Sequence, residues 1–148
     1  DMHFMTKIEF YQSFWMRVIL GVFHGFPVNR GTADMDSLRY AIRVLTEGHI
    51  LCLFPQGTRD KDHKRPDPSS GHAGAAMIAR EAHCDVLPVS IYLPKDGRNK
   101  MCVRIGTLIK YEQLGLTEGK KSSRELKAAT EKIMTEIGEL WDKDADRS

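Results

Sequence analysis

The sequence is 148 residues long and carries 22 lysines and arginines against 20 aspartates and glutamates, for a formal net charge of +2. This length suits one domain with a buried core, and we predict a single domain over residues 1–148. The near-neutral charge argues against nucleic acid as a partner, so any cationic site must be local. The sequence contains neither an apolar run long enough to span a bilayer nor a visible signal peptide.

The three cysteines, Cys52, Cys84 and Cys102, lie among apolar residues. Their small and odd number argues against a disulfide framework, and their spacing does not match a metal site. We therefore predict that they are reduced core residues of a protein from a reducing compartment.

The first third of the chain predicts a strand, a helix and a second strand. Residues 3–6 form a short strand that ends at Lys7, and residues 26–29 form another that leads to Arg30. Between them, apolar residues at helical spacing predict a helix over residues 10–23. Its wide Phe/Trp face favours burial in the core, and contact with a membrane surface is the alternative.

A second helix and a third strand follow. An apolar stripe predicts a helix that Gly48 ends, and the stripe consists of Met35, Leu38, Ala41, Ile42 and Leu45. Residues 50–54 are then apolar without a break and are bounded by Pro55 and Gly57. Such a run predicts a strand that is buried on both faces within a parallel sheet.

The chain continues with a polar loop over residues 59–70, of a kind that either binds ligands or is mobile. Small residues then predict a closely packed helix over residues 71–83. A strand is predicted over residues 86–93, where Pro88 favours an edge or an irregular position.

The last part of the chain predicts a turn, a strand and a long helix. An Asp-Gly pair within residues 95–99 indicates the turn, and residues 101–109 form the strand. Ser122 and Glu125 make a capping box that opens a final amphipathic helix.

The alternation of strands and helices predicts an α/β fold with a mostly parallel sheet flanked by helices. Lys7, Arg30 and Arg59 each follow one of the first three strands. Because the carboxyl ends of parallel strands share one edge of the sheet, we expect the three cations along that edge. Like charges repel unless an anion joins them, and the arginine fork fits phosphate oxygens. The spacing thus predicts a phosphate-bearing ligand; the alternative is that each cation is a solvated surface charge.

The histidines give weaker signals. His24, His49 and His83 fall near predicted helix ends, which favours capping or surface roles. His63 and His72 flank the polar loop and could meet a phosphate. The sequence contains no zinc-ligand spacing, nucleophile elbow or Walker loop, so we expect neither a metal nor a cofactor.

Three short blocks resemble a known family. They are FPVNRG at residues 26–31, FPQGTR at residues 54–59 and VLPVSI at residues 86–91. In this order and spacing they resemble the second, third and fourth blocks of the glycerolipid acyltransferases, the family typified by 1-acylglycerol-3-phosphate acyltransferase. Residues 3–7 resemble the segment that precedes the second block.

The resemblance implies an activity and its partners. A fatty acyl group would pass from acyl-CoA or acyl carrier protein to a lysophosphatidate-like acceptor, as a step of phospholipid synthesis. Because the acceptor is a lipid, we expect a peripheral protein on the cytoplasmic face of a membrane, with no transmembrane segment in this chain.

The resemblance also implies roles for individual residues. Arg30 and Arg59 would hold the acceptor phosphate, and Lys7 joins them from its position after the first strand. The acceptor-site turn would be shaped by Gln56, Gly57 and Thr58, where the glycine lets backbone amides approach an anion. Pro88 would be structural and lie near the acyl groove.

The chain departs from the family pattern in two ways. The family's first block is Asn-His-x4-Asp, whose histidine acts as general base on the acceptor hydroxyl. No His-x4-Asp pattern occurs in these 148 residues, so we expect that block upstream of Asp1 and a chain that is inactive alone. Gln56 stands where the family usually has glutamate, which keeps the hydrogen-bonding reach and loses the charge.

Two other functions stay open at this point. The first is a non-catalytic phospholipid- or phosphate-binding module that has lost its His-Asp base, as the missing block and Gln56 suggest. The second is a generic α/β domain that binds nucleic acid through residues 61–65, against which the intervening acidic residues count.

Overall fold

The computed structural model describes residues 1–7, 18, 21, 24–28, 35–57, 64–92, 101–119 and 122–145. The chain divides into two compact units, Asp1–Phe54 and Pro55–Ser148, which we call the first and the second unit. The single domain expected over residues 1–148 stays a prediction beside this division.

The first unit is built on a parallel sheet. Its strands are β1 (Met2–Lys7), β2 (Gly25–Val28) and β3 (Ile50–Cys52), in the order β2-β1-β3. Both neighbours pair with β1 in parallel. Helix α1 (Met35–Thr46) connects β2 to β3. These elements confirm the predicted α/β class with a parallel sheet and helices.

The predicted helix over residues 10–23 lies outside the described residues, apart from Val18 and Gly21. Both of these positions are helical and exposed. The choice between a core role and a membrane role for this helix therefore stays a prediction.

The buried face of helix α1 differs from the apolar stripe that the sequence predicted. Its buried residues are Ser37, Ala41 and Val44, whereas Met35 of the predicted stripe is exposed. On α1, the ring of Tyr40 lies 4.5 Å from the ring of Phe26 in β2. The helix ends as predicted, because Gly48 takes a left-handed φ of 82°.

The prediction that residues 50–54 form a strand buried on both faces is wrong. Strand β3 ends at Cys52, Ile50 is 58% exposed and Phe54 is 65% exposed. In the described part of the sheet, β3 pairs only with β1 and forms its edge. An apolar run predicts that a segment forms a strand, but it does not predict where that strand lies in the sheet.

The second unit contains two helices and a hairpin. Its elements are a short 3₁₀ helix (Pro68–Ser70), α2 (Gly74–Ala82), β4 (Val89–Tyr92), β5 (Cys102–Ile105), a 3₁₀ turn (Tyr111–Leu114) and α3 (Ser123–Ala145). The core joins the alanine face of α2 to the apolar face of α3, and it includes Ala76, Ala79, Ile109, Tyr111, Leu114, Leu126, Ala129 and Ile133.

Strands β4 and β5 pair antiparallel, with Val89 opposite Ile105 and Tyr92 opposite Cys102. The turn predicted over residues 95–99 lies outside the described residues, and the antiparallel pairing of its flanking strands is consistent with it. The stretch between Tyr92 and Cys102 is shorter than the dozen or so residues that a parallel crossover needs. Pro88 lies directly before β4, in agreement with the irregular position predicted for it.

Two smaller predictions have mixed outcomes. All three cysteines are free thiols, but each is half-buried and none lies fully in a core. At the start of α3, the Ser122 hydroxyl accepts a hydrogen bond from the amide of Glu125 at 3.3 Å, which is the Ser122 half of the capping box.

None of the helices within the described residues has the length and apolar character needed to cross a membrane.

Candidate functional site

The carboxyl ends of the three parallel strands face one edge of the sheet. Lys7, the last residue of β1, pairs with Val28, the last residue of β2. Strand β3 ends at Cys52, which pairs with Phe4 of β1 and is therefore set back by three positions. In open α/β sheets, ligands bind outside this edge. The backbone therefore has the direction that the predicted phosphate site requires.

The side chains of the three cations predicted for that edge lie outside what the structure describes. Arg30 falls within residues 29–34, and Thr58 and Arg59 fall within residues 58–63, both outside the described residues. Lys7 is described through its backbone pairing alone. The convergence of the three cations on one phosphate stays a prediction.

The turn after β3 is described as far as Gly57. This glycine has a φ of +68°, in the left-handed region where side chains with a Cβ are strained. Gln56 donates a hydrogen bond from Nε2 to the hydroxyl of Ser70 at 3.1 Å. Ser70 in turn donates to the backbone carbonyl of Asp67 at 2.7 Å.

This relay bears on the glutamine that replaces the family's glutamate. The Ser70 oxygen gives its own hydrogen to Asp67, so it can only accept from the side chain at position 56. An amide provides the required N–H, and an ionised carboxylate is an acceptor only. Gln56 therefore fits the relay as a donor, and a glutamate here would force Ser70 to release Asp67.

The base of the polar loop is closed by further hydrogen bonds. The amide of His72 donates to the carbonyl of Pro55 at 2.8 Å, which brings the two ends of the loop together. Asp67 accepts from both the hydroxyl and the amide of Ser69, at 2.6 and 2.7 Å. These bonds lower the pKa of Asp67. His63, the other histidine predicted to flank this loop, lies outside the described residues.

Pro88 lies in the interior of the second unit. Its side chain is fully buried, and its carbonyl accepts a hydrogen bond from the amide of Gly106 at 2.9 Å. Gly106 has no room for a Cβ, which would lie 3.0 Å from both Pro88 Cγ and Leu140 Cδ1. A structural role of Pro88 is consistent with this packing, while its proximity to an acyl groove stays a prediction.

A cavity of about 390 Å³ opens beside Gly106, between β5 and α3. Its lining includes charged residues of both signs, namely Arg104, Glu136, Glu139 and Lys143. Charged walls do not suit an acyl chain, which prefers an apolar lining. The cavity therefore gives no support for an acyl site at this place.

A histidine cluster at the opposite edge of the parallel sheet was missed from the sequence. The ring of His3 lies 5.0 Å from that of His24 and 5.3 Å from that of His49. Its Nδ1 lies 3.2 Å from the hydroxyl of Tyr40 on α1. Each histidine stands at the amino end of a strand, and parallel strands bring these ends together just as they do the carboxyl ends. The rule that predicted the cation edge would have found this cluster.

Burial lowers the pKa of His3, and the neighbouring His24 and His49 lower it further. Glu47 acts in the opposite direction and is a smaller influence. His3 is therefore neutral near pH 7 and suited to a hydrogen bond with Tyr40. No group of three His, Cys, Asp or Glu side chains in the described ranges could hold a metal ion.

His83 has the capping role predicted for it at a helix end. His83 caps α2 with a left-handed φ of 50°, and its ring lies 3.8 Å from the ring of Tyr111. His24 also has a left-handed φ, of 51°, directly before β2.

Comparison with known proteins gives three consistent matches. Residues 1–92 match the family model described as Acyltransferase. The 1-acyl-sn-glycerol-3-phosphate acyltransferase of Bacillus subtilis (strain 168) is 30% identical over 151 residues, which cover 97% of this chain and 70% of that protein. The crystal structure of the 1-acyl-sn-glycerophosphate (LPA) acyltransferase PlsC from Thermotoga maritima matches with a TM-score of 0.57 at 25% identity, over 95% of this chain.

The chain spans 56% of the length of the Thermotoga protein. The family model matches more than half of the chain, and its range contains all three sequence blocks, at residues 26–31, 54–59 and 86–91. On these grounds the chain belongs to the acyltransferase family.

Proposed function

We propose that the protein transfers a fatty acyl group from a thioester donor to the free hydroxyl of a lysophosphatidate-like acceptor, as a step of phospholipid synthesis. The observation that carries this proposal is the 30% identity, over 97% of the chain, to a relative named for acylation of 1-acyl-sn-glycerol-3-phosphate. The Thermotoga relative is named for the same reaction, which supports the same acceptor.

In this proposal the acceptor phosphate binds outside the carboxyl edge of the sheet. Arg30 and Arg59 grip its oxygens with their planar forks, and Lys7 adds a third positive charge. The parallel pairing of β1 with β2 and β3 supports this arrangement, because it directs all three strand ends the same way. Gly57, with its left-handed φ, lets the chain turn sharply before Thr58 and Arg59.

The reaction itself needs a base. The acceptor hydroxyl attacks the thioester carbonyl, gives up its proton to the base, and the thiolate of the donor leaves. The base would be the histidine of the family's Asn-His-x4-Asp block, which these 148 residues do not contain. This step needs no metal or redox group, and the thioester donor would be acyl-CoA or acyl carrier protein, as the family resemblance implies. Since the acceptor is a lipid, the protein would work as a peripheral protein at the cytoplasmic face of a membrane.

Substitution of the two arginines tests the proposal. We expect Arg59→Ala and Arg30→Ala, each in the full-length natural protein, to raise the KM for lysophosphatidate about 10- to 100-fold, since hydrogen bonds to charged groups are worth about 1.5–3 kcal/mol. Arg39→Ala is the control, because Arg39 is an exposed cation of α1 that pairs with Asp36. Absence of acyl transfer by the unsubstituted protein, or an unchanged KM in both variants, would refute the proposal.

A second candidate is a non-catalytic module that binds phospholipid or phosphate. Gln56 favours it, because glutamine carries no charge where the family usually has glutamate. It predicts that the full-length protein binds vesicles that contain lysophosphatidate, with a dependence on Arg59, and produces no phosphatidate from acyl-CoA. Measurement of vesicle binding and product formation on one sample separates the two candidates.

A further inference from the structure

Arg65, in the polar loop, is joined to the far end of α3. Its Nε lies 2.8 and 2.9 Å from the two carboxylate oxygens of Asp142, and its Nη2 lies 2.8 Å from one of them. This two-pronged pairing joins residues that are 77 positions apart in the chain. The hydrogen bond from Arg65 lowers the pKa of Asp142, so the carboxylate is charged at neutral pH. Arg–carboxylate pairs of this geometry fix orientation as well as distance.

The helix surface beneath Arg65 is shaped to receive it. Gly138 lies one turn before Asp142, on the same face of α3. A Cβ at Gly138 would lie only 3.2 Å from Cζ and both Nη atoms of Arg65. Glycine weakens a helix interior relative to alanine, and at this position it leaves the space in which the guanidinium lies. Gly138 leaves the space for the guanidinium of Arg65, and Asp142 binds it.

The other end of the loop is also held. Gln56 donates to Ser70, and the amide of His72 donates to the carbonyl of Pro55. Next to them, Gly71 lies so close to α3 that a Cβ would be 2.6 Å from Met134 Cγ. Helix α3 therefore supports the loop at two places, near Gly71 and near Arg65. Residues 58–63, which include Arg59, lie in the chain between Gln56, which is bound to Ser70, and Arg65, which is bound to α3.

We propose that Arg65 is a positioning residue for acceptor binding, held on α3 by Asp142 in the space that Gly138 leaves. This inference rests on the proposed function, in which Arg59 grips the acceptor phosphate. A loop that is already ordered loses less conformational entropy when it binds. Loss of the Arg65–Asp142 pair should therefore weaken acceptor binding and leave the chemical step unchanged.

The test uses steady-state kinetics of the full-length protein with lysophosphatidate and acyl-CoA. We expect Arg65→Ala and Asp142→Asn to raise the acceptor KM about three- to ten-fold, while kcat and the donor KM stay within about two-fold. The double variant Arg65→Asp/Asp142→Arg should recover most of that loss, because it restores the pair with its charges exchanged. Lys127→Ala is the matched control, since it breaks another exposed ion pair of α3, the one with Glu131.

Gly138→Ala separates positioning from stability. Alanine favours the helix, so Tm should hold or rise, while its methyl group displaces Arg65 and the acceptor KM should rise. A variant that is at least as stable but binds the acceptor more weakly would support the proposal. An unchanged acceptor KM in Arg65→Ala, or equal losses in kcat and in both KM values together with a lower Tm, would overturn it.

A readout that needs no activity keeps this proposal separate from the proposed function. If the unsubstituted protein transfers no acyl group, the proposed function fails, and amide hydrogen exchange over residues 58–70 then tests the support by Arg65. Faster exchange in Arg65→Ala than in Lys127→Ala would retain Arg65 as the residue that orders this loop. Equal exchange in the two variants would overturn the inference.

Discussion

The two units of the chain are stabilised in different ways. The second unit has a core in which apolar residues of α2 and α3 pack together. Ala76, Ala129 and Met134 are fully shielded from solvent there. Among the described residues of the first unit, Phe26, Ala41 and Val44 are buried, and so is His3 at the amino edge of the sheet. The comparison teaches that the second unit depends mainly on packing, while in the first unit a buried histidine also makes stability depend on pH just below neutrality. Four experiments test that difference.

The largest effect is expected in the core of the second unit. Met134 is 0% exposed, so Met134→Ala should leave a cavity and lower the free energy of unfolding by about 2–5 kcal/mol. The exposed reference in the first unit is Ile50→Ala, which should lower the free energy of unfolding by about 0.5 kcal/mol or less. Urea unfolding followed by amide exchange in each unit measures both. Equal losses in the two variants would contradict the comparison.

The next effect is overpacking at Gly71. A Cβ there would lie 2.6 Å from Met134 Cγ and 2.7 Å from Thr130 Cγ2, so Gly71→Ala should destabilise the second unit by about 1–3 kcal/mol. Gly74→Ala is the control, since no heavy atom would lie within 4 Å of its Cβ.

The loss of stability caused by Gly71→Ala should be smaller when Met134→Ala is also present. The shortened side chain at position 134 then leaves room for the new methyl group. A double-mutant cycle from thermal unfolding measures this coupling. Strict additivity of the two substitutions would show that the clash is relieved elsewhere.

A smaller effect is expected at the turn after β3. Gly57 has a φ of +68°, and a residue with a Cβ pays about 1–2 kcal/mol in that region. Gly57→Ala should therefore lower the free energy of unfolding by about that amount, and Gly57→Asn should lower it less, because asparagine tolerates the left-handed conformation. Calorimetry of the two variants checks the order. A loss as large in Gly57→Asn as in Gly57→Ala would show that the backbone conformation is not the cause.

The last prediction concerns pH. Burial, with His24 and His49, lowers the pKa of folded His3 below its ordinary value of 6.5. The unfolded state then binds more protons at acid pH, so the first unit should lose stability as pH falls from about 6.5 towards the folded pKa. Amide exchange of β1–β3 at about pH 7.5 and about pH 5.5 measures the loss, with α3 as the internal reference.

His3→Gln is the control for the pH prediction. Glutamine keeps a polar group near Tyr40 and does not titrate, so the acid-dependent loss should be smaller in this variant. An identical pH response in the variant and the unsubstituted protein would assign the effect to another group.

Much of the local structure could be predicted from the sequence because it depends on neighbours in the chain. The left-handed glycine that ends α1 at Gly48, the serine before α3 and the short strands around Lys7 and Val28 all follow from local patterns. The parallel order of the first three strands also follows, since a helical connection between strands leaves few other options.

The misses share a cause, which is that long-range contacts leave no mark in a local pattern. Leu51 belongs to an edge strand, although its apolar surroundings resemble those of a central strand. The cluster of His3, His24 and His49 is an exception, because the alignment of parallel strand ends would have predicted it. Of the candidate site, the sequence located the turn at Gln56 and Gly57, but it did not predict that Gln56 donates to Ser70.

By itself, the sequence determined the class of this protein: the elements, their order and the family blocks are written in short runs of neighbouring residues. Only the tertiary structure decided that β3 lies at an edge of the described sheet and that Arg65 packs against Gly138 beside Asp142. The physical reason is distance along the chain. Propensity and periodicity act over a few residues, whereas a pair such as Arg65 and Asp142 exists only when the packed helix brings its members together.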